Sequence, residues 1–251
     1  MKRILLILLG VALLVNAAEV QAADIDFTVG QRNIDMNLFY NGASIPVTGS
    51  VPEGSVVVVR FSDKAGEKAT MKQKGKAMGL LWMNMNTLHF SHMPAVCLVG
   101  SSAPLAGLGQ GGQKLGLAGI ADSVVIEPAS ADRAMLLPEL IKLKKSEGLY
   151  REDESAVKLE SAKNGQQVFT AHVAVPSRLS PGEYLVEIFA VKDGVVIAQG
   201  VKPVTARLVG APGFIARLAF SHGVWYGVLA SLISMLAGLA VGLIFRSKGA
   251  H

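Results

Sequence analysis

From Val224 to Phe245 the chain runs for 22 residues without a charge, VWYGVLASLISMLAGLAVGLIF. At 1.5 Å of rise per residue a helix of that length is about 33 Å long, enough to cross the ~30 Å hydrocarbon core of a bilayer. A soluble fold could absorb it only as a core helix buried on every side. The length, the lack of charge and the basic residues that follow, Arg246 and Lys248, point instead to a membrane span over 224–245. The rest of the chain is then held at a membrane.

The other end carries Lys2 and Arg3, an apolar core from Ile4 to Val15, and small residues around Val20-Gln21-Ala22. That order is expected of a secretory signal peptide, residues 1–22. The tail 246–251 has two positive charges and no acids, which the positive-inside rule keeps in the cytoplasm. Residues 23–223 are therefore expected on the outer side of a bacterial inner membrane, crossed once, with the bulk periplasmic. The formal charge of +5 shrinks without the ends. Of 24 Lys+Arg four lie there, leaving 20, and of 19 Asp+Glu only Glu19 does, leaving 18. An excess near +2 with no basic run interleaved with aromatics gives no case for nucleic acid. Cys97 is the only cysteine, so no intramolecular disulfide can form and stability must come from a buried core.

Within 23–130 the dominant period is two. Ile34, Met36, Leu38 and Tyr40 fall on one face, and Asn41-Gly42 follows, so a hairpin is expected from Asn33–Tyr40 and Ala43–Thr48. Val56-Val57-Val58-Val59 reads as a central strand buried on both faces. Lys64 to Lys76 reads as a solvated loop or edge, and Met78 to Val99 as two more strands. Ser101 to Gly119, with six glycines, reads as a flexible surface loop with a short helix near Leu115 to Ile120. The period changes to that of a helix from Asp132 to Gly148, opened or kinked by Pro138, and 131–165 reads as a helical bridge. Period two returns in 166–212, where Phe169, Ala171, Val173 and Val175 share a face, and Leu179-Ser180-Pro181-Gly182 and Asp193-Gly194 make turns. The expected fold is mainly β: two β-sandwich-like, immunoglobulin-like halves joined by a helix, then a juxtamembrane linker 213–223 and the transmembrane helix.

The richest side-chain set for chemistry is Met83, Met85, His89, His92, Met93 and Cys97. Thioether, imidazole and thiol suit copper(I), and Met83 and Met85 share a face in an extended chain, so periplasmic copper binding or metal delivery is the competing function. The same residues also fill cores, and no metal ligand is assigned. Gly107-Leu108-Gly109-Gln110-Gly111-Gly112 has the glycine spacing of a dinucleotide loop, but the reading needs a helix starting there inside a parallel unit, so no cofactor is assigned. Cys97, Ser91, Ser101, His89 and His172 fall in no catalytic motif, and a non-enzymatic protein is expected. In the span, Gly238 and Gly242 form a small-xxx-small pair extended by Ser231 and Ser234, a face that lets a second helix approach closely. The expected partners are the lipid bilayer and, through this helix, another integral membrane protein, which the resemblance below makes a transporter, or a second copy of the chain.

Three stretches carry a family resemblance: Gly79-Leu80-Leu81-Trp82-Met83-Asn84, Leu179-Ser180-Pro181-Gly182-Glu183-Tyr184, and Ala219-Phe220-Ser221-His222 through Tyr226-Gly227 into Phe245-Arg246. With them, the order of signal peptide, β-rich region and single carboxyl-terminal span resembles an uncharacterised proteobacterial family described as putative transmembrane proteins, first noted in alphaproteobacteria. The resemblance covers nearly the whole mature chain and implies an architecture and a transport partner. It brings no functional residue.

Overall fold

The computed structural model describes residues 23–64, 67–77, 81–128 and 132–246, with backbone alone over 67–77 and 81–86 and at 246. The expected signal peptide, 1–22, and the end of the tail, 247–251, lie outside the described residues. The strands are β1 (Ala23–Asp24), β2 (Phe27–Val29), β3 (Asn33–Met36), β4 (Ala43–Pro52), β5 (Val56–Asp63), β6 (Glu67–Ala77), β7 (Leu81–Met93) and β8 (Cys97–Ser101). They continue with β9 (Val125–Glu127), β10 (Tyr150–Asp153), β11 (Val157–Leu159), β12 (Gln166–Val175), β13 (Gly182–Lys192) and β14 (Val195–Leu208). The helices are α1 (Gly109–Gln113), α2 (Leu117–Ser123), α3 (Arg133–Ser146), α4 (Gly210–Ser221) and α5 (Gly223–Arg246). The chain is mostly β, as its alternation requires.

The valine run of β5 explains the layering. A strand apolar at consecutive positions must be covered on both faces. β5 lies inside the sheet β10-β8-β5-β13-β14, with β1 and β3 both parallel to the outer edge of β14. One face of this sheet, through Val57, Val59, Phe61, Val186 and Ile188, packs on the four-stranded sheet β11-β12-β4-β2. Phe27, Ile45, Val47 and Phe169 from that second sheet complete a core in which each of these nine side chains is 2% exposed or less. The other face, through Val58, Cys97, Val99, Phe189 and Val191, packs on Leu88, Phe90 and Met93 of β7, Ile126 of β9 and apolar residues of α2 and α3. Each fully buried side chain of this size contributes roughly 1.5–3 kcal/mol relative to exposure.

The strands before the bridge and those after it enter the same sheets. β4 pairs antiparallel with β12 from Ala43↔Val175 to Pro52↔Gln166, and β5 pairs with β13 from Val56↔Val191 to Asp63↔Tyr184. The stretches 23–130 and 166–212 thus build one sandwich jointly. The 131–165 segment is also part of it: after α3, capped at Asp132 by Oδ1 accepting from the Met135 amide at 3.2 Å, it supplies β10 to one sheet and β11 to the other. Of the stretch read as a solvated loop or edge, Glu67 onward is the edge strand β6, and of the next stretch Leu81 onward gives β7 and β8.

The hairpin expected at Asn41-Gly42 does not form. β3 pairs with β14 and β4 with β2 and β12, so this turn carries the chain from one sheet to the other. Both strands have an apolar face, Ile34 and Met36 on one and Ile45 and Val47 on the other, and crossing between sheets lets the two faces meet across the core. Gly42 has φ +95°, and a Cβ there would lie 2.7 Å from the Val175 carbonyl oxygen, so the crossing requires glycine. The alternation also stops early: β3 ends at Met36, leaving Leu38 71% exposed where periodicity would bury it.

Candidate functional site

Gly223–Phe245 is one helix long and apolar enough to cross a membrane, and none of it is buried against the protein. At about 100° per residue, Gly227, Ser231, Ser234, Gly238 and Gly242 fall within about 80° of arc on α5. The Ser231 hydroxyl donates to the Gly227 carbonyl at 2.9 Å, which satisfies it within the helix. A Cβ built on Gly227, Gly238 or Gly242 meets nothing within 4 Å. The stripe read from Gly238 and Gly242 is therefore an open groove, one turn longer than the sequence reading because Gly227 joins it. Leu229, Leu236 and Leu243 lie on the opposite side.

Trp225 and Tyr226 stand in the first turn, the position at which amphipathic rings meet the headgroup layer of a bilayer. Before them, 213–223 is largely helical: α4 holds one charge, Arg217, among apolar and small residues, with Phe214, Ile215 and Phe220 exposed. Gly213 is buried, its α carbon so close to the Leu208 carbonyl that a Cβ would lie 2.6 Å from that oxygen, and this seats the start of α4 on the end of β14. His222 leaves the helical region at φ −137°, ψ 52° and separates α4 from α5.

The metal set is divided by the fold. Met93 and Cys97 are buried in the core, while His89 and His92 are exposed. His92 has φ +59° at the end of β7. The side chains of Met83 and Met85 lie outside the described residues, though the β6–β7 register, Gln73↔Asn86 then Lys74↔Asn84, places a bulge at Met85. Among the described residues no group of three or more His, Cys, Asp and Glu is placed to hold a metal ion.

Cys97 lines a pocket of about 270 Å³ with Arg60, Ser62, Lys114 and Ser123. Arg60 Nε donates to Glu187 Oε2 at 2.7 Å, and its guanidinium lies 5.1 Å from the Phe189 ring centre. Burial pushes the Cys97 thiol up to about 12, although Arg60 pulls it down, so the thiolate that nucleophilic chemistry requires is not formed near neutral pH. The Ser101 hydroxyl is buried and donates to the Ala103 carbonyl at 2.6 Å. His172 is exposed on β12 and lines a small opening with Arg151 and Asp153.

The glycine-rich stretch is folded. It forms a 3-10 turn at Leu105–Leu108, then α1 and α2, and Gly111 and Gly119 are sites of close backbone approach: a Cβ would lie 2.6 Å from the Gly194 carbonyl oxygen at the first and 1.9 Å from that of Lys114 at the second. The glycines thus serve packing against the β13–β14 turn and within the stretch itself, a role that spacing alone does not reveal. Sequence reasoning also missed the apolar character of α4, although FIARLAF over 214–220 carries it in plain view.

Compared with known proteins, residues 24–247 match the model of the family described as "Putative transmembrane protein (Alph_Pro_TM)". No curated protein matches the chain.

Proposed function

We propose, from the premise that the chain belongs to this transmembrane family, that it is a membrane-anchored accessory protein whose span docks laterally on an integral membrane transporter. The observation that carries the reading is the open stripe of Gly227, Ser231, Ser234, Gly238 and Gly242, opposite Leu229, Leu236 and Leu243. In lipid no hydrophobic force drives helices together, so association depends on close van der Waals contact and polar side chains, which small residues permit. The basic tail and the leader-like first 22 residues support an inner-membrane protein with its sandwich in the periplasm and its carboxyl end in the cytoplasm. A non-enzymatic role is in keeping with Cys97 as an inert core thiol and the Ser101 hydroxyl committed to a backbone carbonyl.

The sandwich itself is read as immunoglobulin-like. Tyr184, at the start of β13, donates its hydroxyl to the Ser180 carbonyl at 2.6 Å across Leu179-Ser180-Pro181-Gly182, a corner used by domains of that type.

Replacing Gly238 and Gly242 by leucine tests the docking face. Membrane insertion, read by resistance to alkaline extraction, should be unchanged. Co-purification of the partner in mild detergent should fall, by an association loss on the order of 1 kcal/mol or more. Equal loss of insertion and association would reduce the span to an anchor.

A further inference from the structure

The sandwich has one end that water does not suit. β3 runs parallel to the last part of β14, with Met36 opposite Leu208, and the Val209 amide donates to the Met36 carbonyl at 3.0 Å. Just past that bond one strand enters α4, and through it the span. The other reaches Leu38 and Phe39 within three residues, so both chains emerge at the same end of the sheet. Leu38 is 71% and Phe39 87% exposed, and in α4 Phe220 is 92% exposed.

This exposure is built in. The Phe39 amide donates to Asn37 Oδ1 at 2.9 Å, the Tyr40 amide to the Asn37 carbonyl at 3.1 Å, and the Tyr40 hydroxyl to the Pro176 carbonyl at 3.3 Å. The turn is tied down on both sides of its tip, and the two apolar side chains at that tip are held outward. Monomeric soluble proteins rarely hold such groups together in water.

We propose that the bilayer surface itself covers this end: Leu38 and Phe39 dip into the headgroup and acyl boundary beside α4, so the sandwich is seated on the membrane as well as tethered to it. The occupant follows from continuity, since a single residue separates α4 from α5, and α5 carries Trp225 and Tyr226, side chains suited to the interface, in its first turn. The seat rests on α5 crossing the bilayer and is independent of lateral docking.

Labelling the full-length protein in phosphatidylcholine–phosphatidylglycerol vesicles tests the seat. Cys97 is buried in the core and stays unlabelled, so an environment-sensitive dye can be placed singly through Phe39→Cys, Leu236→Cys in mid-span, or Val195→Cys. Val195 is at the far end of β14, about 43 Å away along an extended strand. The expected result is blue-shifted emission at 39, quenched by lipids spin-labelled near the headgroup. The dye at 236 should be quenched by lipids labelled deep in the chain, and the dye at 195 by neither. Water-like emission at 39 with deep quenching at 236 overturns the seat while leaving the span intact. A blue shift at 39 without lipid quenching assigns the tip to a protein contact and overturns it too. No quenching at 236 would remove the membrane span on which the seat rests.

Discussion

Cys97 shows how position decides chemistry. On β8 it faces the second core, against Leu88, Phe90 and Met93 among others, and desolvation holds its thiol at about 12 against an ordinary 9.0. Well below pH 9 the thiol is neutral in both folded and unfolded chains and contributes no pH dependence. Between about 9 and 12 only the unfolded chain ionises, so the stability that this thiol contributes falls as pH rises, by at most about 1.4 kcal/mol per pH unit. Urea unfolding midpoints from pH 8.5 to 10.5 should therefore drop less steeply in Cys97→Ala than in the parent, and a maleimide should label the native protein only after denaturant is added. Residue identity made Cys97 a candidate ligand and nucleophile, and Met93 beside it a thioether ligand. Both side chains lie in the core, and that burial was half legible: the apolar run Ala95 to Val99 suggested it for the cysteine, whereas nothing local distinguishes Met93 in the core from a methionine at the surface. Leu38 is the reverse case, an alternating position that the end of β3 leaves outside.

Among the elements, those whose cause is local were legible. The valine run of β5 required two covered faces and has them, the faces of β12 alternate as written, and the Asp193-Gly194 turn joins β13 to β14 with φ +51° and +79°. The element from Asp132 to Gly148 is a helix that passes through Pro138, closed by Gly148 at φ +75°. Elements whose cause is distant were not. Asn41-Gly42 has the chemistry of a tight hairpin, yet β14 competes for β3 and β12 competes for β4, and strand pairing across some 130 to 170 residues overrides the turn. Gly109 and Gly111 looked flexible because their neighbour in space, Gly194, is far away in sequence, whereas Gly112 and Gly119 pack on Leu108 and Lys114 within the stretch itself. The Tyr184 corner is a local device that can be checked directly. Tyr184→Phe keeps the stacked contact with Phe61, 5.1 Å between ring centres, and removes the bond to Ser180. It should cost about 1–2 kcal/mol in chemical unfolding, with the m-value unchanged. A loss below a few tenths would mean the corner is held by packing alone.

On the scale of the whole molecule, a sandwich built by strand pairing is joined through α4 to the apolar helix. The sandwich closes only when strands from both sides of α3 have entered its sheets, and its last strand delivers the chain into α4 and α5. The span and its small-residue face were readable because a long uncharged run and a periodic stripe are properties of consecutive residues. The interleaving of strands and the apolar end around Leu38 and Phe39 depend on long-range pairing and were not. If the stripe on α5 is a docking face, contact must be one-sided. In-cell photocrosslinking from Ser234 and Val241, which lie on or beside the stripe, compared with Leu236 and Leu243 on the opposite side, measures that directly. Capture of one integral membrane protein from the first pair and none from the second is the expected result, and equal capture from both pairs, or from neither, would contradict it.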